Sequence, residues 1–205
     1  MPYDYIQIIK NLIFPKDNVS KDIGTLPSFG YKPIPGSDSR VWVATEYQNE
    51  LIHELIERVK INKEFDYSKE LVETFGNKLR YNFDISAKIL LVSVPYDPKR
   101  YIEDGFALSE LLVKGLSQKL DLPYGRILTK PKSTKKQSYL NREERLVNLD
   151  GKIKEIEGVV NVANFNQIWI IDDITTTGAT LLECQKMVLA NWPFVEVKLF
   201  ALASN

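Results

Sequence analysis

With 205 residues, 44% of them apolar, the chain is long enough for one sizeable core and too short for several domains. Its 27 basic and 27 acidic residues cancel, which excludes a global field drawing it to nucleic acid or an anionic membrane and leaves such contacts to local patches. A single cysteine, Cys184, excludes an intrachain disulfide and a cysteine-rich zinc site. No run approaches the roughly 20 apolar residues of a membrane-spanning helix, and the N-terminal MPYDYIQIIKNLIFPKDN carries Asp4 ahead of a short apolar patch and lacks the basic start and small-residue cleavage site of a signal peptide. The expectation is a cytoplasmic protein with no membrane partner.

Residues 5–14 read as a helix-like apolar piece, followed by a loop holding Pro15, Gly24 and Pro27. In YKPIPGSDSRVWVATEY, Pro35, Gly36, Ser37 and Asp38 are turn formers, while Val41 and Val43 alternate with Trp42 and Ala44. That pattern predicts a hairpin. Residues 1–45 are assigned to an N-terminal extension carrying it, and residues 46–205 to the main domain. From Gln48 the period changes: Leu51, Ile52, Leu55, Ile56 and Val59, then Leu71, Val72, Phe75 and Leu79, recur at helical spacing. Helices are predicted over about 48–60 and 67–80.

The remainder alternates element types. KILLVSVP reads as a strand, residues 106–120 as a helix, YGRILTK as a strand followed by a polar insert, QIWIIDD as a strand, residues 179–192 as a helix, and VEVKLFALA as a last strand. Strands separated by helices predict an α/β fold, a mainly parallel sheet flanked by helices, with its binding crevice beyond the carboxyl ends of the strands. Two polar segments fall there, YDPKR after Pro95 and DDITTTGAT after Ile171.

IWII, residues 168–171, is apolar at every position, as a strand buried on both faces should be. Asp172 and Asp173 then emerge where the strand leaves the sheet. Two neighbouring carboxylates in partial burial repel each other unless cations or hydroxyl donors are supplied, and a vicinal diol donates one hydroxyl to each through charge-assisted bonds. Thr175, Thr176, Thr177, Gly178, Ala179 and Thr180 follow, leading into a helix. Small side chains let backbone amides converge, the glycine permits a left-handed turn, and a helix N-terminus favours an anion. A diol clamp followed by a monophosphate cradle has the dimensions of a ribose 5-phosphate. Two other readings of the same string stand beside it: a capped strand-to-helix connection, and a Mg2+-holding acid pair for phosphoryl transfer as in phosphorelay receiver domains. Other phosphate loops are absent, since the chain has neither GxxxxGK[ST] nor GxGxxG after a strand.

IWIIDDITTTGAT resembles the signature of the type I phosphoribosyltransferases: four apolar residues, two acids, then a threonine-rich turn ending in Thr-Gly-x-Thr. The resemblance implies that Asp172 and Asp173 take the ribose hydroxyls of phosphoribosyl pyrophosphate and that Thr176, Thr177, Gly178, Ala179 and Thr180 take its 5-phosphate. VSVPYDPKRYIEDGFALSELLVKGLSQKL and TKKQSYLNREERLVNL are similar to the ComF branch of that superfamily, associated with competence and DNA uptake, with Thr134, Gln137, Leu140, Arg145 and Asn148 on its spacing. The chain departs from the branch in three places. Asp97 stands where the branch has His, Asp104, Gly105, Phe106, Ala107 and Leu108 replace Arg-Gly-Phe-Asn-Gln, and the N-terminal four-cysteine zinc finger cannot exist with one cysteine.

Such a transfer breaks the bond from C1 to pyrophosphate through a cation-like sugar, so catalysis needs charge neutralisation on the departing diphosphate. The resemblance implies Mg2+ as cofactor, bound mainly through substrate oxygens with Asp172 and Asp173 as its nearest protein carboxylates. Lys99 and Arg100 are the candidate protein cations, Tyr96 and Asp97 candidate substrate contacts beside them, and Arg145 and Gln137 further candidates in the polar insert. That insert has the length of a mobile lid. Lys130, Lys132, Lys135 and Lys136 within it read as solvated charges, and for nucleic acid it offers no interleaved aromatic beyond Tyr139. His53 reads as a surface or packing residue, Cys184 as a small buried one, and Trp169 as core. The acceptor is a nucleobase or an amine, with Asp97 or Asp104 as the candidate base, and the resemblance implies a homodimer. The alternative is a non-catalytic phosphoribosyl pyrophosphate sensor or DNA-uptake accessory.

Overall fold

The computed structural model describes residues 29–130, 153–156 and 160–205, with the backbone alone at Arg100. The apolar piece at residues 5–14, Gln137 and Arg145 with most of the proposed lid, and Lys132, Lys135, Lys136 and Tyr139 lie outside the described residues.

Strands β1 (Gly30–Pro33) and β2 (Arg40–Glu46) form the predicted antiparallel hairpin, Gly30 opposite Val43 and Pro33 opposite Arg40. β2 then pairs in parallel with the last strand, β7 (Glu196–Ser204), which pairs with β6 (Gln167–Thr175), which pairs with β3 (Ile89–Ser93). The sheet order is β1-β2-β7-β6-β3, parallel except at the hairpin. The hairpin, placed by the sequence in an N-terminal extension, is therefore hydrogen-bonded into the main sheet.

Four helices cover the faces: α1 (Glu50–Lys60), α2 (Ser68–Asn82) and α4 (Leu108–Leu120) on one, and α5 (Ala179–Asn191) on the other. The split follows from the period of two along the strands. Trp169 and Ile171 of β6 pack with Ile56, Phe75 and Leu112 from the three-helix side, whereas Ile168 and Ile170 pack with Leu181, Cys184 and Val188 of α5. All four residues of IWII are fully buried, as a strand covered on both faces requires. Cys184 and Trp169 are core residues. None of the described helices is long and apolar enough to cross a membrane.

Two segments differ from the sequence expectation. YDPKR, read as a polar loop, opens a short helix, α3 (Pro98–Asp104): Asp97 is extended and caps it by accepting from the Lys99 backbone N–H at 2.9 Å, Pro98 occupies the first turn, and Gly105 ends it with φ of 80°. Proline at the start and glycine at the end is the ordinary asymmetry of helix termini. YGRILTK, read as a full strand, pairs only at β4 (Leu128–Thr129), antiparallel to β5 (Lys154–Glu155) and separate from the main sheet. Upstream it touches the edge of β3 through one bridge, where Leu91 donates to the Pro123 carbonyl and the Gly125 amide donates back to Leu91. Pro123 has no N–H to extend that ladder.

Candidate functional site

Pairing along β6 stops at different heights on its two sides. On the β3 side the last pair is Ser93 with Ile171, and on the β7 side pairing continues to Thr175 with Ser204. Asp172 and Asp173 thus leave the sheet on one side and remain anchored on the other. The crevice this creates is at the carboxyl ends of the parallel strands.

The same period of two sends the adjacent acids toward different layers. Asp173 shares a face with Trp169 and Ile171, where α1 packs, and Lys60, the last residue of α1, places its Nζ 2.5 Å from Asp173 Oδ2. The Oδ1 of Asp173 accepts from the Ile174 N–H at 2.8 Å, and Asp172 Oδ1 accepts from the Asp173 N–H at 2.9 Å. Burial pushes the Asp172 carboxyl well above its ordinary range, and the charge of Asp173 adds to that push. Burial is the largest influence on Asp173 and acts in the same direction, but the Lys60 ammonium, together with hydrogen bonds from Asp172 and the Ile174 amide, outweighs it and holds that carboxyl below its usual range. Lys60 responds in kind: burial would favour its neutral form, and the two aspartates overcome that and raise its pKa. One acid of the pair is thereby kept charged while the other is biased to hold a proton.

Thr175 is buried, Thr176 is exposed, and the Thr177 hydroxyl accepts from the Ala179 N–H at 3.3 Å. Gly178 then turns the chain into α5 with φ of 77°. Two constraints meet at this glycine. Its φ disfavours any side chain, and a Cβ there would stand 2.8 Å from Ile34 Cγ1 and 3.2 Å from Val41 Cγ2. The β1–β2 hairpin therefore backs the turn directly. The first turn of α5 carries no acidic residue, so nothing in it opposes the attraction of its amides for an anion. Ala179 is buried beneath that turn and Thr180 lies half-buried at its mouth.

The end of β3 supplies the facing wall. Tyr96 donates its hydroxyl to Asp104 Oδ2 at 2.7 Å, and Lys63 donates to the Asp104 carbonyl at 2.6 Å while its Nζ lies 4.6 Å from the Phe106 ring centre. Asp97 is buried with its carboxylate engaged as the α3 cap, and Lys99 is exposed in the first turn of α3. A cleft of about 290 Å³ opens beside this wall, lined among others by Ser93, Pro95, Tyr96, Tyr101 and Arg126. The backbone of Arg100 lies within α3.

The structure thus brings Asp172, Asp173 and the turn from Thr176 to Thr180 together, with Tyr96, Asp97 and Lys99 on the neighbouring strand end. Sequence reasoning missed Lys60 and Ile34. A signal for Lys60 existed: Ile52, Ile56 and Lys60 form one row at four-residue spacing, and its first two members are buried, so a lysine extending an apolar row invites a search for its counter-charge. Among the described residues no group of three or more His, Cys, Asp or Glu could hold a metal ion.

No family model matches the chain, and no curated protein matches it in sequence. Solved structures of several phosphoribosyltransferases resemble it. They include the adenine enzyme from Leishmania donovani (12% identity, TM-score 0.44, 85% of this chain and 86% of that one) and the orotate enzyme from Aeropyrum pernix (12%, 0.39, 91% and 79%). A hypoxanthine enzyme from Staphylococcus aureus is a third (13%, 0.35), matched over 67% of this chain, which spans 61% of that enzyme.

Proposed function

We propose that this protein binds phosphoribosyl pyrophosphate at the end of β6 and transfers its phosphoribosyl group with loss of pyrophosphate, as a Mg2+-dependent phosphoribosyltransferase of the ComF-like branch. The observation that carries this reading is the continuity of two subsites on one stretch of chain. Two carboxylates stand clear of β3, and within five residues the Gly178 turn opens the N-terminus of α5. The first suits a diol and the second a monophosphate.

In this reading Asp173, charged and held by Lys60, accepts one ribose hydroxyl, and Asp172 takes the other. The backbone amides at the start of α5 and the hydroxyls of Thr176, Thr177 and Thr180 hold the 5-phosphate. That leaves the C1 diphosphate directed at the end of β3, where Lys99 of α3 supplies positive charge; the ComF resemblance adds Arg100, Arg145 and Gln137 as further contacts of the departing group. Tyr96 and Asp97 line the same wall. Two carboxylates cannot furnish the six oxygens of an octahedral Mg2+ site, but they fit an ion whose remaining ligands come from the substrate. Bound in that way, Mg2+ would neutralise the diphosphate as it departs. The nucleobase or amine acceptor enters from the side opposite the departing group.

One observation favours a second reading, that of a ligand sensor without turnover. Asp104, where the ComF pattern has arginine, is bonded by Tyr96 and Lys63, so an acid rather than a cation is fixed beside the diphosphate wall. A pyrophosphate-release assay over nucleobases and amines, run with phosphoribosyl pyrophosphate and Mg2+, separates the two. Release with any acceptor supports the enzyme, and saturable binding without release from any of them leaves the sensor.

A further inference from the structure

The ion pair between Lys60 and Asp173 has a more buried carboxylate than the pairs made by Arg58, Lys69, Lys114 and Lys119. Arg58 with Glu54, Lys69 with Asp66 and Lys114 with Glu110 join side chains three or four residues apart, and Lys119 of α4 crosses to Glu73 of α2, a carboxylate 57% exposed; such exposed pairs contribute little in water. Lys60 instead crosses from the end of α1 to the end of β6 and meets a carboxylate that is 14% exposed. Both oxygens of Asp173 are engaged, one by Lys60 and one by the Ile174 amide, from two directions. A carboxylate held at both oxygens has its side-chain torsions fixed, and the loss of rotamer freedom on binding a ligand is removed in advance.

Electrostatics require the same lysine. Two adjacent, half-buried carboxylates need positive charge nearby, and in the described part of the structure Lys60 is the cation in contact with them. A divalent ion could meet the same need, and a lysine already seated there leaves it little to gain.

We propose that Lys60 is a positioning residue of the diol clamp: its ammonium is the resident cation of the acid pair, orienting Asp173 toward a ribose hydroxyl and, while no substrate is bound, occupying the place a divalent cation would otherwise take. The orienting role rests on the ribose phosphate reading above, whereas the resident-cation role does not. In the parent the empty acid pair stays free of metal, and Mg2+ arrives with the substrate. In Lys60→Met, which keeps the aliphatic stem and loses the charge, the two carboxylates bind a hard divalent ion themselves.

The experiment uses the full chain without substrate, titrated with Mn2+ and followed by the loss of the free-ion electron paramagnetic resonance signal. Lys60→Met and Lys60→Gln are expected to bind Mn2+ at least roughly tenfold more tightly than the parent. Adding Asp173→Asn to either should abolish the gain, and Lys60→Arg should match the parent. In metal-free buffer the affinity for ribose 5-phosphate should fall roughly tenfold in both neutral variants and stay within about threefold in Lys60→Arg. Folded neutral variants with parental Mn2+ binding and parental affinity for ribose 5-phosphate would overturn the proposal. A parent that fails to bind ribose 5-phosphate, with the Mn2+ gain intact, removes the ribose phosphate reading and the orienting role while leaving the resident cation in place.

Discussion

At the end of β3 the carboxylates of Asp97 and Asp104 serve their own segment, the first capping α3 and the second taking the Tyr96 hydroxyl, whereas at the end of β6 Asp172 and Asp173 sit side by side, bonded to neighbouring amides and balanced by a lysine from a distant helix. The β3 acids lower the free energy of the local fold by satisfying donors that would otherwise be orphaned. The β6 pair is under tension instead, because burial and adjacency disfavour the charge on Asp172 while Lys60 helps to hold the charge on Asp173. Acids that stabilise their own surroundings need no ligand to account for them. Acids that repel each other and are held in place by a remote cation point to a site.

Changes to the acids of the β6 end should therefore act on ligand binding beyond their effect on stability, and a change to the Asp97 cap should act chiefly on stability. The largest effect is expected in the turn between them and the helix. Gly178→Ala combines φ of 77° with a contact at 2.8 Å to Ile34, and should cost about 3 kcal/mol by chemical denaturation. Gly36→Ala, with φ of 74° and open space, is the control and should cost only about 1 kcal/mol. Equal losses at the two glycines would show that the hairpin does not support the turn.

Asp173→Asn strips Lys60 of its partner and should cost about 1 to 2 kcal/mol, together with ligand affinity. Asp97→Ala removes the α3 cap and should cost about 1 kcal/mol, whereas Asp97→Asn, which preserves an acceptor, should cost less. The smallest effect on stability, with the opposite sign, belongs to Asp172→Asn. Since the fold holds the Asp172 proton more tightly than the unfolded chain does, the parent gains stability as pH falls through the raised pKa toward the ordinary range near about 3.9. The asparagine variant lacks that dependence. It should be more stable than the parent by up to about 1 kcal/mol at about pH 8, an advantage that shrinks on acidification. A variant less stable than the parent at that pH would mean that Asp172 is not under repulsion.

Much of this site could be read in DDITTTGAT itself, because strand termination, the acid pair, the turn glycine and the helix start all lie within nine consecutive residues. The pairing of the hairpin with β7 was not legible, since a local alternation of Val41 and Val43 shows a strand but not its neighbour. Lys60 was hidden for a similar reason. Its helix was predicted, but which end of that helix docks against β6 depends on the packing of α1 across the sheet. The short helix α3 was legible in the sequence: Asp97 followed by Pro98, with Gly105 after about two turns, carries both a start and a stop signal. The strand expected from YGRILTK is split between two partners, a single bridge from Tyr124 to Leu91 and a two-residue pairing of Leu128 and Thr129 with β5, which local pattern does not show. Asp172 and Asp173, expected where the strand leaves the sheet, lie beyond its pairing on the β3 side alone, and that asymmetry is what opens the crevice while keeping the acids fixed.

The most direct test of the ribose phosphate assignment is a calorimetric titration of the full chain with phosphoribosyl pyrophosphate in the presence of Mg2+, repeated on the Asp172→Asn, Asp173→Asn double variant. The expected result is saturable binding by the parent, displaced by ribose 5-phosphate, and weakened by at least roughly a hundredfold in the folded double variant. Equal affinity in the two proteins, or no binding by the parent, would contradict it.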